Sequence, residues 1–386
     1  MSKKRLLELD IMRGIAFLFV VLQHTVGGFS YRDDIGINDF YISKLLYVVA
    51  KSGVPIFVFL SAVALLYRYN DKLDLKDFYI KKIKFLFLPF ALWSIYRLKA
   101  TGTPIDSSLI WRILSGDAQY HLWYMSMIIR IYLYFPLIYF LNKHIKKQKR
   151  NTKIVIFLLL TICYIIIDDI NISGIMTNFF FTNPSDQQVR FMNNSPLNYC
   201  YYFILGAFVV NDYEKIKQAI INNKYKLLLA YVILQGYEYY IELGGNLTDT
   251  FKTINNYLPV HAVCMNLLIL LLLVGCSYVE ISFVYLSTIL KFISRYSFPA
   301  YLIHVSILND LTFKMAITNQ LSCSVKFWCI GVVKSIVICW ALSYLPFSKY
   351  FLGCKTKLNI DKIKNISQKD VIDEWKNILY NRISKA

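Results

Sequence analysis

The chain has 386 residues, of which 56% are hydrophobic and only 17% charged, and its mean hydropathy is +0.44. A soluble protein of this size needs a larger polar fraction to cover its surface, so a soluble globular fold is excluded. The formal net charge of +19 would suit a nucleic-acid partner, but the basic residues fall in short runs between apolar blocks. That is the pattern of loops facing an anionic membrane leaflet, and it excludes nucleic acid as the partner.

Taken in chain order, the apolar blocks and their flanks reach the roughly 20 residues that cross a hydrocarbon core. They predict ten spans at 9–28, 41–66, 83–99, 121–141, 153–170, 197–211, 225–243, 259–279, 296–313 and 326–347. The apolar stretch 283–294 is short and reads as interfacial. Pro55 and Pro136 are expected to kink their helices. The expected fold is all-α, a polytopic integral membrane protein with about ten transmembrane helices. Residues 1–352 form the membrane domain, and 353–386 form a basic tail. DEWKNILY in that tail reads equally as a short amphipathic helix and as an irregular segment. The first span holds Arg13 and lacks a small-residue cleavage site, so it is not a cleavable signal.

Alternate loops are rich in lysine and arginine: Lys3 to Arg5, then Arg68 to Lys82, then Lys143 to Lys153, then Lys215 to Lys226, then Lys291 and Arg295. The intervening loops carry Asp33, Asp34, Asp39, Asp168, Asp169, Asp186, Glu238, Glu242 and Asp249 instead. By the positive-inside rule both termini are cytoplasmic, in a multi-pass protein of the cell membrane. The Ile, Lys and Asn content suits an AT-rich bacterial source. The eight cysteines are scattered, with no C-x-x-C pair; no metal site is expected, and they read as apolar fillers.

Charged groups inside a span are costly, and so they are candidates for function. Arg13 and His24 lie eleven residues apart in LDIMRGIAFLFVVLQH. At about 100° per residue this is three turns plus about 20°, so both leave one helix face, roughly 16 Å apart along the axis. Asp10 is placed to pair with Arg13. The plain alternative is that Arg13 snorkels to one interface and His24 sits at the other. Lys51 and Arg130 also lie inside spans and must be paired or face water. His121 and His304 each read as a site residue or as a packing residue. Trp123 and Tyr124 read as interfacial aromatics or as a sugar platform. His261 and His144 read as structural and solvated, and Glu238 and Glu242 as a contact to the acceptor or, more simply, a wet outer rim.

The segment LDIMRGIAFLFVVLQH resembles the opening of the acyltransferase 3 family of integral membrane acyltransferases, a basic residue followed by ten residues and a histidine. SGVPIFVFLSAVAL (52–65) is similar to the second span of that family, with Ala62 where glycine is usual. KKIKFLFLPF (81–90) resembles its arginine-rich segment before a proline, with Lys81, Lys82 and Lys84 in place of arginine. HLWYMSMIIRIYLYFPL (121–137), YFILGAFV (202–209) and SRYSFPAYLIH (294–304) follow in the family's order. No C-terminal esterase-like domain is seen, and the layout resembles members that O-acylate surface polysaccharides.

The resemblance implies transfer of a small acyl group, acetyl or succinyl, from acyl-CoA to a hydroxyl of an exported or cell-surface polysaccharide or glycolipid. Acyl-CoA would be the donor substrate, with no permanently bound cofactor and with polysaccharide-synthesis machinery as a neighbour. His24 would be the base and Arg13 a contact to the donor. Lys81, Lys82 and Lys84 would meet its phosphates, although lysine lacks the bidentate fork of arginine. His121, Trp123, Arg130, His304 and Lys51 are the further substrate-binding candidates. The competing reading is an exporter or flippase for a polysaccharide or lipid-linked sugar, which shares the spans and buried charges but needs no acyl-CoA. Such carriers usually show inverted repeats and broken helices, and neither is visible in the sequence.

Overall fold

A computed structural model describes residues 5–170, 172–244, 250–314, 319–345 and 347–354. The tail beyond residue 354 lies outside the described residues. Those described form helices and no strand. The helices are α1 (Leu7–Phe29), α2 (Ile37–Ala50), α3 (Gly53–Arg68), α4 (Leu75–Lys82), α5 (Leu88–Ala100), α6 (Leu109–Ser115), α7 (Trp123–Lys146) and α8 (Arg150–Asp169). They continue as α9 (Ile172–Phe180), α10 (Asp186–Asn193), α11 (Cys200–Asn211), α12 (Tyr213–Leu243), α13 (Thr250–Ser282), α14 (Val284–Lys314), α15 (Leu321–Leu342) and α16 (Ser348–Leu352). A π turn at Ile83–Phe87 joins α4 to α5, and a short 3-10 turn, Tyr120–Leu122, opens α7.

Each of the ten apolar stretches is mainly helical among the described residues. Five helical stretches among the described residues are long and apolar enough to cross a membrane: Leu7–Phe29, Ile37–Arg68, Tyr120–Lys146, Val260–Ser282 and Leu321–Leu342. The count of ten crossings is not established by this measure. Helix α11 has 12 residues, short of the roughly 20 that a bilayer core requires.

Four local expectations are corrected. The second span is two helices, because α2 ends at Ala50 and α3 restarts at Gly53. Pro55 sits in the first turn of α3, where its missing N–H disturbs least; it follows the break and does not kink one helix. The stretch 283–294 is not separate from the ninth span, since α14 runs through both. Lys291, expected in a polar loop, is buried: its Nζ lies 2.9 Å from Glu280 Oε1, and Ser287 Oγ donates to Glu280 Oε2 at 2.7 Å. That pair ties α13 to α14.

Helix α1 is central. It packs against α14, α3, α2, α13 and α15, and Ile11, Met12, Ala16, Phe17 and Val21 along it are fully buried. In lipid the apolar driving force between helices is weak, so small residues that let backbones approach carry much of the packing. Gly206 of α11 shows this. A β-carbon there would lie 2.7 Å from Phe59 O and 2.7 Å from the Ala62 methyl of α3.

Candidate active site

The site is assembled on α1, the start of α7, and α14. Arg13 and His24 lie near opposite ends of α1. Arg13 is about one-third exposed, and its guanidinium meets Asp10 at 3.5 Å, the i,i+3 contact the spacing predicts; Arg5 holds the same carboxylate at 2.7 Å. Near the far end, the His24 ring touches three others. The ring centroid of Tyr120 is 5.1 Å away, that of His304 5.3 Å and that of His121 6.2 Å. His121 and His304 are themselves 4.7 Å apart.

Local structure brings these groups together. Gly116 ends α6 with φ of 71°, in the left-handed region that favours glycine. A β-carbon there would lie 2.5 Å from Leu122 O, so the chain can fold back against the 3-10 turn only with glycine. That turn directs Tyr120 and His121 at α1. On α14, Tyr301 and His304 are three residues apart and share a face. The main-chain oxygen of Tyr301 accepts from His121 Nε2 at 3.0 Å and from His304 Nδ1 at 2.7 Å. The Tyr301 hydroxyl donates to the main-chain oxygen of His121. His121 and His304 are 1% and 0% exposed.

A cavity of about 1080 Å³ meets this cluster through Tyr301, and none of the three histidines is among its lining residues. Arg13, Arg68, Lys81, Lys82 and Lys349 line it, and Tyr124, Tyr132 and Tyr301 form part of its wall. Among the described residues none that lines it is acidic, though Asp77 holds Lys81 at 2.5 Å. Lys349 reaches the cavity because Trp93 Nε1 of α5 donates to Phe351 O of α16 at 3.0 Å. The Lys82 ammonium lies 4.0 Å over the Tyr132 ring. Burial, reinforced by the positive charges of Arg68 and Arg13, pushes its pKa down to about 8. Tyr301 is thus both a wall of the cavity and the anchor of two histidines.

A family model described as an acyltransferase domain matches residues 6–344, nearly the whole chain. The chain belongs to the acyltransferase 3 family. No curated protein and no solved structure matches it. As a family member it is a membrane acyltransferase, and the break between α2 and α3, a broken helix not visible in the sequence, is a feature it shares with the transport reading.

The acyltransferase places the remaining sequence candidates as follows. Lys81 and Lys82 line the cavity, whereas Lys84 is exposed and does not. Trp123 is half-buried, its ring 5.2 Å from that of Tyr199. Arg130 is taken up elsewhere: it donates to Phe191 O at 2.7 Å and to Asn194 O, and its guanidinium lies 4.1 Å from the Phe191 ring. It clamps the end of α10 and is not brought to the histidines. Lys51 Nζ lies 2.5 Å from Glu242 Oε2, and Lys44 is 3.7 Å from the other oxygen, to which Tyr31 also donates. Glu238 meets His261 at 3.1 Å. Glu238 and Glu242 are 1% and 4% exposed, so the expected wet rim is a buried charge network, closed because opposite charges there satisfy one another. His144 is exposed, as expected.

Sequence reasoning did not single out Tyr120, Tyr301, Arg68 or Lys349. Tyr301 carried a signal, its i−3 spacing from His304. Lys349 carried none. Among the described residues no group of three His, Cys, Asp or Glu side chains is arranged to hold a metal ion.

Proposed function

We propose that this protein is a membrane O-acyltransferase that moves a small acyl group, acetyl or succinyl, from acyl-CoA to a hydroxyl of an exported or cell-surface polysaccharide or glycolipid. One observation carries the reading. A cavity ringed by five cations at Arg13, Arg68, Lys81, Lys82 and Lys349 adjoins, through Tyr301, a cluster of three histidines. Its volume of about 1080 Å³ is at the upper end for ligand cavities and suits a large polyanionic donor. The cations meet the phosphates, Arg13 with a planar fork that can hold two oxygens at once. The thioester then extends along the cavity toward His24.

A hydroxyl is a poor nucleophile and needs a base. Imidazole, with an ordinary pKa near 6.5, suits that task. His24 takes the hydroxyl proton as the oxygen attacks the thioester carbonyl, and returns it to the departing sulfur. With the basic loops in the cytoplasm, the donor enters from the cell interior and the acceptor is met at the His24 end. The enzyme then sits in a bacterial cell membrane with both termini inside, beside the machinery that makes its glycan.

The test is acyl transfer from labelled acetyl-CoA or succinyl-CoA in membrane vesicles, together with mass spectrometry of surface glycans from cells with and without the protein. A glycan mass difference equal to one acyl group supports the reading and names the group. An unchanged glycan and no transfer from either thioester overturn it.

A further inference from the structure

The tautomers of His121 and His304 are fixed by one acceptor. A main-chain carbonyl has no proton to give, so each ring nitrogen in contact with Tyr301 O must carry the N–H: Nε2 of His121 and Nδ1 of His304. In a neutral imidazole the other nitrogen is a bare lone pair. Those two atoms, His121 Nδ1 and His304 Nε2, are buried and have no hydrogen-bond partner among the described residues. A buried acceptor left unmade is costly, so such a group usually serves a purpose.

His304 is the nearer of the two to His24, with ring centroids 5.3 Å apart and a tilt of 33°. Two imidazoles joined by one N–H···N bond of about 3 Å span that separation. A small rotation of His24 forms the bond, in the way that catalytic hydrogen bonds often tighten only once substrate is present. His121 is farther, at 6.2 Å and a steep 71°.

We propose that His304 is the positioning residue for His24. Its Nε2 accepts the N–H of His24, and the opposite nitrogen of His24 keeps its lone pair for the acceptor hydroxyl. This rests on the reading of His24 as the base. The hydroxyl proton moves to the free nitrogen of His24, and the oxygen pair forms the new bond to the thioester carbon. The C–S bond then breaks, the sulfur leaves with its electron pair, and the same proton passes from His24 to sulfur. No proton moves to His304; its lone pair supports the transient imidazolium. The role is that of the carboxylate in a Ser-His-Asp set, filled by a neutral ring anchored on a carbonyl. A neutral acceptor suits a lipid-embedded site, where an ionised carboxylate would have to be desolvated.

Two substitutions separate this role from packing. His304→Asn retains an amide N–H where Nδ1 stood, so it keeps the bond to Tyr301 O and loses the acceptor toward His24. His304→Gln places a carbonyl oxygen where Nε2 stood and keeps that acceptor. The assay is transfer from acetyl-CoA in vesicles, normalised to inserted protein. His304→Asn should lower kcat roughly 10²-fold with the KM for acetyl-CoA within about twofold, and His304→Gln should recover at least about tenfold over it. A packing role ranks them the other way, with Asn near normal and Gln impaired, and that result overturns the proposal. Equal losses in both variants also overturn it. His24→Ala is measured alongside. If it is inactive while His304→Asn turns over normally, only the positioning role fails. If His24→Ala turns over normally, the reading of His24 as the base fails, and the positioning role with it.

Discussion

Removing the imidazole at position 24 should cost about 10²–10⁴-fold in turnover, the usual contribution of a general base. His24 makes ring contacts but no ion pair, so His24→Ala should still insert, and the loss is read per inserted molecule. Arg13 tests a different property. Arg13→Lys keeps the charge and loses the fork: a large loss of donor affinity shows a two-point contact, and a mild one shows charge alone. Arg13→Ala should be severe in either case. Glu242 is a residue of stability. It is buried between Lys44 and Lys51 with a hydroxyl from Tyr31, and its removal leaves two ammonium groups without their anion. Glu242→Ala should lower stability by about 3–5 kcal/mol. Unfolding or protease resistance in detergent measures that, and an unchanged midpoint would show that the network is wet.

At the scale of elements, α4 and the π turn after it present successive lysines unequally. Lys81 and Lys82 reach the cavity and Lys84 faces away. Lys81→Gln with Lys82→Gln should weaken acyl-CoA binding, most at low salt where screening is least, whereas Lys84→Gln should leave it unchanged. The Lys82 pKa near 8 adds a pH signature. The group is cationic below that value and neutral above it, so its attraction for phosphate is present at pH 7 and lost as pH rises past about 8. Donor affinity should fall across that range, and Lys82→Gln should flatten the fall; an identical slope in the variant would place the titrating group elsewhere. Which helices exist was legible in the sequence, because long apolar blocks leave few alternatives. So was the pairing of Arg13 with Asp10, since a spacing of three residues sets both on one helix face. The fate of Lys51 and Arg130 was not. Their partners, Glu242 and the Phe191 and Asn194 carbonyls, are distant in sequence, and span hydropathy does not reveal pairing. The spacing of Tyr301 from His304 was visible, but its anchoring of both rings was hidden, because a main-chain oxygen does it and every residue type possesses one.

For the whole molecule, the loop charges make a prediction the helices alone do not. Single cysteines at Asp34 and Asp186 should react with an impermeant thiol reagent from outside the cell, and one at Lys147 should not; labelling of Lys147→Cys in intact cells would reverse the orientation. The ring of Arg13, Arg68, Lys81, Lys82 and Lys349, lined by no acid, has a further consequence. Like charges held together repel, so a surface shaped for a polyanion works against the folded state while it has none, a trade of stability for activity. Any multivalent anion that enters should therefore act as a stabiliser before it acts as a substrate. Inorganic pyrophosphate, which carries no acyl group, should raise the melting temperature of the detergent-solubilised protein, by the equivalent of about 2.7 kcal/mol at a hundredfold excess over its dissociation constant. Neutralising part of the ring, with Lys82→Gln and Lys349→Gln together, should raise the melting temperature of the unliganded protein and shrink its response to pyrophosphate.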